Sequence, residues 1–296
     1  MTADLLHDPA EVAPPRTAVD GQHVIGSLSP SRASDFMSCP LLYRFRVIDR
    51  LPEGPGAAAV RGTVVHAVLE RLFDLPAWQR TPERALAMVR PNWDQLLAEE
   101  PELATLFDGG ESADGASVTA WLAECRSLLT TYFALEDPQR LEPADRELYV
   151  EHVLDSRLLL RGYVDRVDIN ADGQVRVVDY KTGRSPSEAF EGKALFQMKF
   201  YALVLWRSTG RIPDLLQLVY LGNGEVLRYA PDEQDLLAAE RKVNALWAAI
   251  ARATETGRWL PRQSALCGWC DHQALCPAWG GTPPPLPPAA PVVAET

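Results

Sequence analysis

The sequence is poor in lysine and in net positive charge. Only 4 of the 296 residues are lysine, and 40 acidic residues outnumber 29 basic ones, which gives a formal net charge of −11. A protein that coats nucleic acid by charge alone is therefore excluded. Any site for a polyanion must be a local basic groove in an acidic body.

Long apolar runs are also missing. No stretch approaches the roughly 18 consecutive apolar residues of a membrane-spanning helix, which excludes such a helix. Residues 1–20 contain Asp4, Asp8 and Glu11 and no apolar segment, so we expect no secretory signal. Hydrophobic residues make up 47% and charged residues 23%, which is typical of a soluble globular protein. We expect a cytoplasmic location and no membrane partner.

Cysteine is scarce, but its distribution is uneven. A disulfide-built scaffold would be shorter and richer in cysteine than this chain with five. Three of the five fall within ten residues as C-x2-C-x5-C, at Cys267, Cys270 and Cys276. This spacing predicts a metal or cluster site in a reducing compartment and fits zinc and iron–sulfur equally well. His272 is an alternative zinc ligand, and Cys125 is expected to be a small buried side chain.

Residue patterns along the chain predict helices first and a sheet afterwards. Residues 1–27 and 280–296 are expected to be a disordered leader and a disordered Pro/Ala-rich tail. Helices are expected at 30–39, 57–73, 83–99, 117–135, 188–206 and 232–256. Strands are expected at 147–152, 158–168, 174–180, 215–221 and 226–229. This order predicts one mixed α/β (α+β) domain over 28–279, with a mixed sheet flanked by helices and a helical insertion at about 74–140.

The strongest chemical signal is a pair of acidic strands with a lysine. Asp179 and Lys181 are two residues apart on a predicted strand, so their side chains leave the same face. Asp165 lies on the preceding strand of a predicted hairpin, where register can bring it beside Asp179. Two carboxylates converging with a lysine form an oxygen-rich site suited to Mg²⁺ and to the activation of water. Solvated surface ion pairs are the alternative interpretation.

Two helical pairs point to the same region. His66 lies one turn after Gly62 on a predicted helix, so the missing side chain at Gly62 leaves space below the imidazole for another element. His66 would then be a further metal ligand, although a lone helical histidine is more often structural. Gln197 and Tyr201 are likewise four residues apart on the helix after Lys181, so their face could border the site. Ordinary helix packing is the alternative, above all for Tyr201.

Four short motifs occur in a fixed order. They are G-x-x-x-H at 62–66, G-Y-V-D-R-V-D at 162–168, D-Y-K-T-G at 179–183 and Q-x-x-x-Y at 197–201. With the cysteines, this order resembles the RecB-type branch of the PD-(D/E)XK nuclease superfamily, which includes the RecB and AddB nuclease domains and the Cas4-like proteins. The resemblance spans residues 39–276 and implies a restriction-endonuclease-like core. The superfamily's Pro-Asp motif is replaced by the Gly-Tyr-Val-Asp form of this branch.

The resemblance implies roles for individual residues. Three side chains and one backbone carbonyl would bind the catalytic Mg²⁺ or Mn²⁺, namely His66, Asp165, Asp179 and the carbonyl of Tyr180. Lys181 would be the catalytic lysine, and Gln197 and Tyr201 would contact DNA or support the site. Family members often have a further glutamate on the first strand, for which Glu147 and Glu151 are both candidates.

The resemblance also assigns the cysteines. Members with one N-terminal and three C-terminal cysteines carry a [4Fe-4S] cluster, which here would use Cys39, Cys267, Cys270 and Cys276. The cluster would pin the two ends of the chain together across the nuclease core. Zn²⁺ is the alternative occupant.

The implied activity is hydrolysis of DNA. By resemblance, the protein would be a Mg²⁺- or Mn²⁺-dependent exonuclease on single-stranded DNA or DNA ends, in repair or recombination. No G-x-x-x-x-G-K-[ST] loop is present, so the chain would act alone or with a separate helicase subunit. The alternatives are a Cas4-like nuclease that processes CRISPR spacers, a catalytically inactive DNA-binding module of a helicase–nuclease complex, and a zinc-stapled structural protein.

An acidic DNA-binding protein needs local cations. The candidates for phosphate contact are Arg32, Arg44, Arg46, Arg61, Arg166 and Arg184. Trp269, inside the cysteine segment, could stack on a base, and packing against the cluster is the alternative.

Overall fold

From residue 30 onward, the long helices and strands follow one another in the predicted order. The computed structural model describes residues 18–19, 21–54, 56–107, 116–186 and 191–287. The helices are α1 (Pro30–Ser38), α2 (Pro40–Tyr43), α3 (Ala57–Leu72), α4 (Pro82–Glu99), α5 (Ala116–Leu135), α6 (Glu191–Thr209) and α7 (Glu233–Thr256). The strands are β1 (Ala18–Val19), β2 (Gln22–His23), β3 (Gly26–Leu28), β4 (Asp145–Val153), β5 (Leu158–Ile169), β6 (Val175–Lys181), β7 (Leu215–Tyr220) and β8 (Glu225–Tyr229).

Several shorter helical segments join these elements. A π-helical segment, Arg44–Ile48, continues α2. Short 3₁₀ helices occur at Ala77–Gln79, Pro101–Phe107, Pro138–Arg140, Ala265–Trp269, Gln273–Leu275 and Pro277–Trp279. No helix within the described ranges combines the length and apolar character that crossing a membrane requires.

Local sequence explains where the main helices begin and end. The side chain of Ser29 accepts the Arg32 N–H at the start of α1, and Pro30 occupies the first helical position, as the sequence predicts. Asp232 and Asp235 form a capping box at the start of α7. That helix ends at Gly257, whose φ of 67° suits a residue without a Cβ.

Six strands form one mixed sheet, which confirms the predicted fold class. The order is β3-β5-β6-β7-β8, and β4 pairs with β5 along its other edge. The pairings β3–β5 and β6–β7 are parallel, whereas β4–β5, β5–β6 and β7–β8 are antiparallel. On β5, the partner β3 covers Leu158–Leu160 and β6 covers only Arg166–Ile169. The edge of β5 between these two partners is therefore open, and we call this opening the fork.

Helices cover both faces of the sheet. On one face, α1, α6 and α7 bury an apolar cluster that includes Phe200, Leu216 and Val243. On the other face, α3, α4 and α5 pack with Val178, Tyr180 and Val219. The predicted helical insertion thus supplies α4 and α5 to this second layer. The two layers enclose β6 and β7, and β6 carries Asp179 and Lys181 to the fork.

The predicted leader is wrong in its final residues. Residues 18–19 and 22–23 form a short antiparallel pair, and Gly26–Leu28 adds a parallel strand to β5. Val19 and Val24 pack on Leu159, so these residues are held by the sheet. Strands of two or three residues are too short to show a hydrophobic period, which is why the sequence did not reveal them. The rest of the predicted leader, and residues 288–296 of the predicted tail, lie outside the described residues.

Candidate active site

The fork between β5 and β6 places the first acidic residue. Pairing of the two strands stops at Arg166 and Val178, one residue short of Asp165 and Asp179. Beyond this point, the Tyr180 N–H donates to Asp165 Oδ2 at 2.6 Å. The carboxylate of Asp165 thus replaces the missing ladder acceptor, which fixes its position relative to β6.

His66 reaches the same point from α3. Its Nε2 lies 3.0 Å from the Tyr180 carbonyl oxygen, and its Nδ1 lies 3.6 Å from Asp165 Oδ2. A carbonyl oxygen can only accept, so this contact requires a proton on Nε2 and leaves Nδ1 as the nitrogen that faces the acidic group. A Cβ on Gly62 would make an ordinary contact of 3.6 Å with Thr182, so the approach of α3 to the strand end does not require glycine there.

The structure selects Glu147 over Glu151 as the additional acidic residue. Glu147 Oε1 lies 4.0 Å from His66 Nδ1, whereas Glu151 accepts a hydrogen bond from Tyr149 at 2.6 Å. Among the described residues, one ligand atom from each of His66, Glu147 and Asp165 lies within 4.8 Å of the others. Glu147 has a φ of 44°, a strained conformation for a residue other than glycine that is typical of functional positions. Because these three side chains could hold one metal ion, we call them the metal-binding triad.

Asp179 and Lys181 lie beside this triad with the two α6 residues of the last motif. Lys181 Nζ is 2.7 Å from Asp179 Oδ2 and donates to Gln197 Oε1 at 2.8 Å. Gln197 Nε2 in turn donates to Asp179 Oδ1 at 2.9 Å and to the Tyr201 hydroxyl at 3.3 Å. The structure therefore brings the predicted catalytic residues together, and Gln197 links the acid, the lysine and Tyr201.

The buried charges strongly perturb one another. Burial raises the pKa of Glu147 to about 8, and the neighbouring Asp165 adds to this effect. Burial also raises the pKa of Asp179 to about 6, against the opposing effect of Lys181. For Lys181, burial alone would lower the pKa, but Asp179 and Asp165 raise it above its usual value. Glu147 and Asp179 therefore favour their protonated forms in the absence of metal, and a divalent cation would compensate the carboxylate charge in place of those protons.

Comparison with known proteins decides the family. Residues 27–277 match the family model of the PD-(D/E)XK nuclease superfamily. The chain belongs to this superfamily. It is 28% identical over 200 residues to the Gene 69 protein of Mycobacterium phage D29, a match that covers 62% of this chain and 70% of the phage protein.

A solved structure agrees with this fold. A protein from Eubacterium rectale, provisionally described as an exonuclease, aligns with a TM-score of 0.55 at 14% identity, covering 83% of this chain and 87% of that one. The predicted superfamily is confirmed, whereas membership of the RecB-type branch stays a prediction. PD-(D/E)XK nucleases use divalent metals, and the metal-binding triad could hold one such ion.

We expect the stability of the metal-free nuclease domain to fall as pH rises, because of Glu147. Its usual pKa is 4.5, whereas the folded value is about 8. Between these values the folded state keeps a proton that the unfolded chain has lost, so the free energy of unfolding decreases with rising pH. Glu147→Gln removes the titrating group and should flatten the dependence between pH 5 and pH 8.

Urea denaturation of chelator-treated protein at several pH values measures this effect. Glu151→Gln, on the same strand but outside the metal-binding triad, is the matched control and should keep the wild-type dependence. An equally steep pH dependence in Glu147→Gln and wild type would contradict the prediction.

Several arginines proposed to contact DNA are already engaged. Arg44 is only 6% exposed, pairs with Asp49 at 2.9 Å and donates to the Pro284 carbonyl. Arg46 bridges Asp35 and Glu53 at 2.6 and 2.7 Å. Arg61 pairs with Glu124. Burial of Arg44 argues against its assignment to DNA, whereas the assignments of Arg46 and Arg61, whose side chains remain partly exposed, stay predictions.

Arg166, Arg184 and Trp269, which were also proposed to contact DNA, differ in their exposure to solvent. Arg166 is completely buried, so its assignment to DNA is also wrong. Arg184 is exposed in the loop that directly follows β6. This loop is held in place because the Gly222 N–H donates to the Gly183 carbonyl at 3.1 Å, and a Cβ at Gly222 would lie 2.6 Å from that carbonyl group. Trp269 is 87% exposed, so it does not pack into the core.

The four predicted cluster cysteines come together at one cavity. Cys39, Cys267, Cys270 and Cys276 line a cavity of about 70 Å³. Two backbone N–H groups point at sulfur: Arg262 donates to Cys39 Sγ at 3.3 Å, and Ser264 donates to Cys267 Sγ at 3.4 Å. Burial and the other three thiols raise the pKa of Cys270.

The other candidate ligands lie elsewhere. His272 Nε2 is 2.8 Å from Glu53 Oε1, and the imidazole ring packs against Phe45. His272 is thus engaged outside the thiol set. Cys125 is fully buried on α5, as predicted for a small apolar side chain.

Proposed function

We propose that this PD-(D/E)XK protein is a Mg²⁺- or Mn²⁺-dependent DNA nuclease. The observation that carries the proposal is the convergence of the metal-binding triad with Asp179 and Lys181 at one fork in the sheet. The carboxylate and imidazole atoms of the triad lie within 4.8 Å of one another, and Lys181 is 2.7 Å from Asp179. Hard oxygen ligands with one imidazole suit Mg²⁺ or Mn²⁺.

His66, Glu147 and Asp165 hold the cation in this proposal, and Asp179 borders it. A bound divalent ion supplies Lewis acidity, which neutralises phosphate charge and lowers the pKa of water. His66 offers Nδ1 to the cation because Nε2 is bound to the Tyr180 carbonyl. The second lone pair of that carbonyl oxygen remains available as the backbone ligand that the resemblance implies.

Lys181 stabilises charge at the reacting phosphate. Asp179 and Gln197 hold its ammonium at 2.7 and 2.8 Å, so it is oriented before substrate binds. Preorganised cations of this kind act on the charge that develops in the transition state. Gln197 and Tyr201 support this arrangement from α6 and are positioning residues in this proposal.

For the substrate, we propose single-stranded DNA or DNA ends and exonucleolytic cleavage in repair or recombination, as in the RecB-type branch. The ordered motifs support this finer assignment. Arg184, exposed beside the end of β6, is the proposed phosphate contact, and Trp269 offers an exposed ring for base stacking. A separate helicase subunit is the proposed partner.

For the cysteine site, we propose a [4Fe-4S] cluster. A single tetrahedral zinc ion with Zn–S bonds of about 2.3 Å requires sulfur atoms about 3.8 Å apart. Within the described part of the chain, no three cysteine sulfurs lie within 4.8 Å of one another. The two N–H···S contacts and the all-thiol donor set are the observations that support the cluster proposal.

Cleavage of end-labelled DNA tests the nuclease proposal. Wild type with Mn²⁺ should degrade single-stranded DNA, and Asp179→Asn should reduce the rate at least about 100-fold, because the neutral amide no longer holds Lys181 by charge. Asp235→Asn is the matched control, since Asp235 pairs with Lys199 at 2.7 Å away from the fork. Wild-type cleavage no faster than that of Asp179→Asn would overturn the proposal.

A further inference from the structure

Arg166 is a fully buried cation directly behind the candidate active site. Its two terminal nitrogens donate to the carboxylate of Glu136 at 2.8 and 2.9 Å, and its Nε lies 3.1 Å from Asp168. The face of the guanidinium contacts two rings, at 5.8 Å from the centre of Phe73 and 5.5 Å from that of Tyr180. The two-point bond to Glu136 fixes the plane of the guanidinium.

The Glu136 carboxylate is itself anchored from the sheet. Gln217 on β7 donates to Glu136 Oε1 at 3.0 Å, and Arg228 on β8 donates to Gln217 at 3.1 Å. On the other side, Asp168 accepts from Arg176 at 2.9 Å. Arg166 is therefore bonded directly to Asp168 on β5 and to Glu136 at the end of α5, and these two partners are held in turn by residues of β6, β7 and β8. This network fixes the position of the buried guanidinium.

Tyr180 connects this buried guanidinium to the metal-binding triad. Its hydroxyl is hydrogen-bonded to Arg166 Nη1 on the face of β6 opposite Asp179. Its backbone N–H donates to Asp165 at 2.6 Å, and its carbonyl accepts from His66 Nε2 at 3.0 Å. A single residue thus touches Arg166 with its side chain and two members of the triad with its backbone.

We propose that Arg166 and the Tyr180 hydroxyl are positioning residues for metal binding. They hold the Tyr180 peptide where its carbonyl keeps the proton of His66 on Nε2 and its N–H orients Asp165. Loss of the hydroxyl lets the end of β6 move, so Nδ1 of His66 and Oδ2 of Asp165 no longer meet at one point. Outer groups that orient metal ligands typically contribute 10- to 100-fold in affinity.

The inference rests on the proposed metal-dependent function, and direct Mn²⁺ titration tests the two separately. Calorimetry on the full chain gives the Mn²⁺ dissociation constant without DNA or turnover. Tyr180→Phe keeps the ring and both backbone groups and should weaken Mn²⁺ binding about tenfold. Arg166→Lys, which cannot bond Glu136 and Tyr180 in the same geometry, should weaken it by about 10- to 100-fold.

The matched control is Tyr229→Phe. The Tyr229 hydroxyl also contacts a cation and a carboxylate, Lys199 at 3.1 Å and Asp235 at 2.7 Å, but has no contact with the triad. This variant should bind Mn²⁺ as wild type does. Circular dichroism confirms that each variant is folded, and Tyr180→Phe decides the matter if Arg166→Lys does not fold.

The possible failures are distinguishable. If wild type binds Mn²⁺ and folded Tyr180→Phe binds it equally well, the positioning role is overturned and the proposed nuclease stands. If Tyr180→Phe and Tyr229→Phe weaken binding alike, the effect is general destabilisation and the positioning role is also overturned. If wild type binds no Mn²⁺, both proposals fail.

Discussion

Lys181→Met is expected to lower the rate of DNA cleavage by about 100- to 1,000-fold while leaving Mn²⁺ binding intact. The ammonium is the one cation that contacts Asp179 at the fork among the described residues, so its loss removes charge stabilisation at the reacting phosphate. The metal-binding triad does not include Lys181. Single-turnover cleavage at saturating Mn²⁺, together with a Mn²⁺ titration, separates the chemical step from metal binding.

Lys199→Met is the control for this variant. Lys199 lies on α6 two residues after Gln197 and is also paired with a carboxylate, Asp235 at 2.7 Å, but on the side that faces α7. It should cleave DNA at the wild-type rate. Cleavage by Lys181→Met within a few fold of wild type would contradict the catalytic role of this lysine.

Cys39→Ala is expected to remove the proposed cluster and to destabilise the fold. Cys39 caps the junction of α1 and α2, whereas the other three cysteines follow more than 220 residues later, so the site joins distant parts of the chain. Loss of such a cross-link typically lowers the free energy of unfolding by about 2–5 kcal/mol. Absorbance near 400 nm, iron content and urea denaturation of anaerobically purified protein measure the two effects.

Cys125→Ala provides the comparison, because Cys125 is fully buried in α5 but lies outside the thiol set. It should keep the 400 nm absorbance and the iron content of wild type. A colourless wild-type protein with one zinc ion per chain would contradict the iron–sulfur assignment, but it would still support a four-cysteine site that joins distant parts of the chain. An unchanged iron content in Cys39→Ala would contradict the assignment of Cys39 as a ligand.

Long elements were predictable because their patterns are local. The periodicity of Val60, Val64 and Val68 predicts α3, and the alternation of Leu148 and Val150 with polar neighbours predicts β4. The strands β1, β2 and β3 were assigned to a leader because each has only two or three residues. Their stability comes from contact with β5, which no local pattern reports.

The arginines show a second property that the sequence alone could not predict, namely whether a charged side chain is free or paired. Arg166 belongs to a motif that implies nuclease chemistry, and its charge indicated a phosphate contact. Its partner Glu136 lies 30 residues earlier, directly after the last residue of α5. Whether a cation is free or paired depends on such distant neighbours, so residue type alone cannot decide it.

By itself, the sequence determined the superfamily, the mixed α/β class and the residue types that meet at the fork. Ordered motifs and hydrophobic periodicity are local features, so they can be recognised without the structure. Only the tertiary structure decided between Glu147 and Glu151 and showed which nitrogen of His66 bonds the Tyr180 carbonyl. It also showed that Arg44 and Arg166 are buried, which argues against their contact with DNA. These choices depend on where strands separate and which helix end faces them. They arise from contacts between residues far apart in sequence, where burial and register, rather than local propensity, determine the geometry.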